Sequence, residues 1–280
     1  SPLFLEPKDG KKYAPEMLFT GNLKEAKKHF SKLGIGTFSI LGIGTVAQIL
    51  LVYVIGAVCP QAMEHSWGMW LITFAPLYLI AVPIGLLLLR KVPAKPLEKH
   101  DLKPSRYIVT AIICIFMMYA GNILGTIITA LLQLLPGLSA GNPILGYATD
   151  NALLPKVLFM VILAPVIEEY IFRKQLIDRM HIYGEKLAVI TSALMFGLFH
   201  GNLSQLFYAF ALGLVFGYVY LKTGKLRYSI GLHMLINFIG SVVGPFFLEK
   251  IAVLDTMETM DLAVLKTILP WLLVFGAYVL

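Results

Sequence analysis

Residues Leu153–Arg173 read LLPKVLFMVILAPVIEEYIFR, an apolar run that ends on two adjacent glutamates and, four residues after the second, an arginine. A hydrocarbon core about 30 Å thick takes about 20 such residues as a helix. Ionisable groups placed there are costly, which makes them functional suspects. The surrounding sequence has the same character. Of the 280 residues, 58% are hydrophobic and 14% charged, and the mean hydropathy is +0.79. A soluble domain is nearer ~45–50% apolar and ~25% charged. An ordinary globular protein is excluded, and the chain reads as an all-α, polytopic membrane protein.

Eight stretches qualify as spans: 36–58, 68–89, 107–134, 153–174, 187–200, 204–221, 228–248 and 264–280. The charge pattern tests this topology. Twenty of the 23 lysines and arginines precede span one or follow spans two, four and six. Basic residues gather in cytoplasmic connections, so both termini are expected to be cytoplasmic. The net charge of +7 and pI near 9.3 therefore point to a lipid bilayer and not to nucleic acid. Cys59 and Cys114 are widely separated, and no zinc spacing or Gly-rich phosphate loop occurs. No cleavable signal peptide is expected at the start, and the span ending at Leu280 is expected to continue.

The expected organisation has four parts. Residues 1–35 form a cytoplasmic segment with an amphipathic helix, 36–150 three spans, 151–250 a core of four spans, and 251–280 an outer loop and last span. In the first part Asn22 is a candidate cap, and Leu23, Ala26, Phe30 and Leu33 form a stripe opposite lysines. That stripe suits either an interfacial helix on anionic lipid or plain juxtamembrane anchoring. The pairs Gly121/Gly125, Gly213/Gly217 and Gly240/Gly244 are expected to be internal packing faces. His65, Trp67, His181 and Tyr183 are expected on solvated surface. Asn202-Leu203-Ser204 matches a glycosylation sequon by chance.

The polar residues of the core fall on successive apolar segments: Glu168, Glu169 and Arg173, then His200, then His233 and Asn237. Neighbouring helical residues point about 100° apart, so the two glutamates face different ways. Glu169 and Arg173, spaced i,i+4 with the acid first, form a favourable ion pair, which leaves Glu168 unneutralised and suited to general acid–base work. With Gly184 as the turn, Glu168 and His200 each lie 16 residues away, about 24 Å along antiparallel helices. Measured from Gly224, His233 and Asn237 sit roughly 13 and 20 Å along one face of their helix. A carboxylate beside an imidazole activates water; a second imidazole with an amide supports an oxyanion. Two histidines and a carboxylate also make a zinc or iron set, which is not favoured here because no HExxH occurs and Asn is a poor zinc ligand. The plain alternatives are that both acids only contact Arg173 and that the histidines only bridge helices.

The ordered motifs EExxxR at Glu168–Arg173, FxxxH at Phe196–His200 and HxxxN at His233–Asn237 resemble the type II CAAX prenyl protease family, also called the CPBP or Abi family. The resemblance covers roughly 150–245. It implies a glutamate-dependent intramembrane endopeptidase in a prokaryotic inner membrane, with 151–250 as its catalytic core; no cofactor is expected, zinc being the disfavoured alternative. Carried over, Glu168 and His200 activate water, His233 and Asn237 form the oxyanion hole, and Glu169 and Arg173 support them. The implied partner is a peptide or membrane-protein substrate: a CAAX-like sequence, a bacteriocin leader or another membrane protein. A non-catalytic scaffold or bacteriocin-immunity protein of the same family is the competing expectation. A transporter or proton relay is disfavoured, because the ionisable residues sit in one half and no internal repeat is visible.

Overall fold

The computed structural model describes residues 23–135 and 152–247, and every regular element among them is helical. The expected span at 264–280 and the candidate cap Asn22 lie outside the described residues. Helix α1 is Leu23–Val58. Helix α2 starts at Ser66–Ala75, widens to a π-helical turn over Pro76–Ala81 and continues as Val82–Leu89. Helix α3 is Pro104–Gln133, entered through Lys103 in an extended conformation with proline at the first helical position, where the missing N–H costs nothing. Helix α4 occupies 153–180, with wide turns over Lys156–Leu163 and Tyr170–Ile177. Helices α5, Glu185–Phe199, and α6, Leu203–Thr223, follow. Helix α7, Leu226–Phe238, runs on through Ile239–Val243.

Five described helices are long and apolar enough to cross a membrane: α1, α2, α3, α6 and α7. The expected spans four and five are helical but are not among those five. Helix α5 has 15 residues, about 22 Å, which is short of a full crossing. Helix α4 carries Lys156, Glu168, Glu169 and Arg173 along its length. Large apolar side chains such as Tyr53, Val58, Leu79 and Phe116 face outward on the spanning helices, as a lipid-facing surface requires.

Two glycine pairs set the close approaches. A Cβ on Gly121 would meet the backbone of Tyr208, and one on Gly125 the carbonyl of Ser204, so α3 lies directly on α6. Gly213 meets Ala193 and Gly217 meets Val189, which fixes α6 on α5. The third pair differs from expectation, since Gly240 faces open space. The sequon is structural. Asn202 caps α6 by accepting from the Gln205 amide, and Ser204 is buried against Thr129.

The amphipathic stripe is not a separate helix; α1 is continuous from Leu23. Its apolar face meets protein, with Ala26 and Leu33 buried and Phe30 packed 4.8 Å from the Tyr183 ring. His29 Nε2 lies 3.1 Å from the Arg179 carbonyl. Tyr183 is therefore a packing residue, and His181 ties Nε2 to the Lys95 carbonyl at 2.7 Å, where solvated surface was expected. His65 and Trp67 are exposed as expected, and the Trp67 ring also edges onto Phe159.

The 92–103 connection crosses this same end as an extended strap. Pro93 and Pro96 deny it a helix, so its backbone groups must find partners elsewhere. Lys95 donates to the Asp178 carbonyl at 2.7 Å and His100 to the Thr223 carbonyl at 2.8 Å. Those carbonyls end α4 and α6, where helices leave acceptors unmatched. The Arg179 guanidinium adds bonds to the carbonyls of Leu89, Val92 and Gln175. The basic connections thus meet at one end of the bundle.

Candidate active site

Glu168 and Glu169 leave α4 in different directions. Glu169 and Arg173 are wholly buried, with Nε 3.1 Å from Oε2, while Glu168 keeps 29% of its side chain exposed. The Nε–Oε2 contact is an ion pair without hydrogen-bond alignment. The guanidinium also reaches Ser192 Oγ at 3.4 Å and lies over the rings of Phe196 and Phe216, at 4.6 and 5.6 Å. A buried charge requires this company, because an unmatched one costs several kcal/mol.

His233 stands between the two acids. Its Nδ1 is 3.1 Å from Glu169 Oε1 and its Nε2 is 3.7 Å from Glu168 Oε2. Glu169, charged and held by Arg173, accepts the Nδ1 proton, which makes Nε2 the lone-pair nitrogen of the neutral ring. Ser229, one turn before His233, is also buried and engages Glu169.

His200 ends α5, with Nδ1 2.8 Å from the Phe196 carbonyl. A carbonyl only accepts, so Nδ1 carries the proton and Nε2 is the basic nitrogen. The Phe196 ring touches His200 and His233 edge-on, at 5.0 and 5.4 Å. Glu168 and His200 have no direct hydrogen bond between them among the described residues. The i,i+4 spacing puts Asn237 on the His233 face, but its Nδ2 donates to the Met160 carbonyl at 2.8 Å. The wide turn explains that acceptor. Ala164 N–H bonds back to Phe159, and the residue whose N–H would next meet Met160 is Pro165, which has none.

Glu168, Glu169, Arg173 and His233 thus form one connected network, His200 joins it across Phe196, and Asn237 borders it with one amide hydrogen committed. Among the described residues no three His, Cys, Asp or Glu side chains come together as a metal-binding set. Sequence reasoning missed Ser192, Ser229 and two tyrosines, Tyr78 and Tyr208, that feel the Glu168 charge. The position of Ser229 one turn before His233 was a readable signal; the tyrosines arrive from helices that carry no motif.

The family model described as type II CAAX prenyl endopeptidase Rce1-like matches residues 150–239, the stretch that holds every residue of this network. Over that stretch the chain is similar to the Rce1-like family. Among similar proteins, the candidate membrane peptidase YdiL of Bacillus subtilis (strain 168) is 26% identical over 193 residues, covering 66% of this chain and 75% of YdiL. The membrane-embedded CAAX protease MroQ of Staphylococcus aureus (strain USA300) is 32% identical over 88 residues, covering 29% of this chain and 36% of MroQ. No solved structure matches at comparable significance. The chain is a multi-pass protein of a prokaryotic cell membrane, and the family it resembles over 150–239 supports a function of the membrane CAAX-protease type.

Proposed function

We propose that this protein is an intramembrane endopeptidase that hydrolyses a peptide bond with water activated by Glu168 and His200. The observation that carries the reading is the division of labour between adjacent acids. Glu169 is spent on Arg173 and His233, whereas Glu168 stays accessible beside two imidazoles. Glu168 takes a proton from a water held at His200 Nε2. The hydroxide oxygen bonds to the substrate carbonyl carbon, and an electron pair moves onto the carbonyl oxygen. Collapse expels the amine, which takes the proton from Glu168. His233 and Asn237 face the developing oxyanion. Asn237 offers its second amide hydrogen. His233 donates from Nε2 only as the imidazolium, whose counter-charge once Glu168 is protonated is Glu169, 3.1 Å from Nδ1.

The substrate is a CAAX-like, leader or membrane-protein peptide cut near the basic end of the bundle. The mechanism requires no metal, and the polar side chains serve each other. The test compares protein termini in membranes from cells with wild type and Glu168→Ala at equal expression. Termini made only by the wild type support proteolysis and name substrate and cleavage site. Identical sets, with the biological effect retained, would sink the protease reading in favour of a scaffold or immunity role.

A further inference from the structure

A directed chain of hydrogen bonds runs from the end of α5 into α6 and stops at a phenol beside the site. Its polarity follows from two backbone groups that cannot reverse. The Gln205 amide N–H donates to Asn202 Oδ1 at 2.9 Å, so the other Asn202 atom is the NH2 group. That group donates to the His200 carbonyl at 2.8 Å and to Gln205 Oε1 at 2.5 Å. Both Asn202 hydrogens are then used. Gln205 Oε1 being an acceptor, its Nε2 donates to Tyr208 Oη, at 2.6 Å. Tyr208 therefore accepts from within the protein, and its own hydrogen has no acceptor among the described residues.

The phenol is placed by packing. Gly121 meets the Tyr208 backbone, so α3 and α6 hold its position with no side chain between them. Gln205 is buried, so the bond that orients the phenol is screened from solvent. The ring centroid lies 6.3 Å from that of His200. The site's other donors are few: Asn237 has given one of its two hydrogens to Met160, and His233 Nε2 donates only when doubly protonated.

We infer that the Tyr208 hydroxyl is a further hydrogen-bond donor of the site, offered to the backbone carbonyl of the peptide substrate beside Glu168 and His200. The inference rests on the hydrolytic reading above. It assigns Asn202 and Gln205 as positioning residues that keep the phenolic hydrogen turned away from the protein. Gln205→Glu reverses the last link, because a carboxylate accepts the phenolic hydrogen and withdraws it from substrate.

The experiment expresses wild type, Glu168→Ala, Tyr208→Phe, Gln205→Glu and the double variant at equal levels. It follows the rate at which Glu168-dependent protein termini appear in membranes. Tyr208→Phe should slow them on the order of a hundredfold, the scale of losing one oxyanion donor. Gln205→Glu should match it with the phenol retained, and the double variant should be no slower than the worse single. Wild-type rates in Tyr208→Phe, or losses that multiply in the double variant as for independent damage, would overturn the donor role. Wild-type termini in Glu168→Ala would remove the hydrolytic reading itself. A silent Glu168→Ala beside a fully active Tyr208→Phe sinks the donor alone.

Discussion

Neighbouring carboxylates in this protein have opposite environments, and the difference predicts opposite variants. Glu169 and Arg173 are buried together, so removing either leaves an unmatched charge. Glu169→Ala or Arg173→Ala should cost about 3–5 kcal/mol, read as a large fall in thermal midpoint in detergent. Glu168 is partly exposed and should be removable with an unchanged midpoint and complete loss of cleavage. The reverse pattern would exchange the roles assigned to the two acids. The Glu169–Arg173 pairing is legible from spacing, since i,i+4 residues meet on any helix. The aromatic enclosure of Arg173 is not, because Phe196 and Phe216 come from α5 and α6. Likewise the motif spacing brings His233 and Asn237 to one face, while the Met160 carbonyl that occupies Asn237 is exposed only by a wide turn on α4.

At the scale of elements, glycine decides which helices touch. Gly125→Val should separate α3 from α6, because the added carbon meets the Ser204 carbonyl. A loss of about 1–3 kcal/mol is the expected overpacking cost, whereas the same change at Gly42, which faces open space, should be nearly silent. Both are read as thermal midpoints. Gly224 ends α6 at φ +60, and a side chain there would strike the Glu98 carbonyl of the strap, so Gly224→Ala should release the strap as well as strain the turn.

The strap is also tied by charge. Asp101 accepts from Lys225 at 2.7 Å and from the Tyr228 hydroxyl at 2.9 Å, and Arg227 adds a third contact. The hydrogen bond from Lys225, then the one from Tyr228, hold the Asp101 carboxyl below its ordinary value. Because the folded value is the lower one, the link contributes above the unfolded value of about 3.9 and is lost as pH falls through the folded value. Asp101 is fully exposed, so the effect is local. Hydrogen exchange at the Leu102 amide, which donates to Tyr228 Oη, should keep its protection through the unfolded value of about 3.9 and lose it only as pH falls further, through the lower folded value. Asp101→Asn should show weakened protection throughout, and a pH-independent difference of zero between the two would remove the link.

For the whole molecule, water activation by protein side chains predicts that strong chelators leave the rate of Glu168-dependent cleavage unchanged. A loss restored by added zinc would replace the proposed mechanism with a metal-centred one. The sequence by itself determined the solvent, the all-helical class and the motif-bearing segments. Hydropathy and charge are sums over residues and need no knowledge of contacts, and a helix brings i and i+4 together wherever it sits. Only the tertiary structure decided that α1 runs unbroken onto the 179–183 turn and that His233 bridges both acids. It alone placed Tyr208 and the 92–103 strap. The reason is physical: these features depend on the separation and rotation of helices distant in sequence, which glycine contacts and proline-widened turns set, and no local periodicity records them.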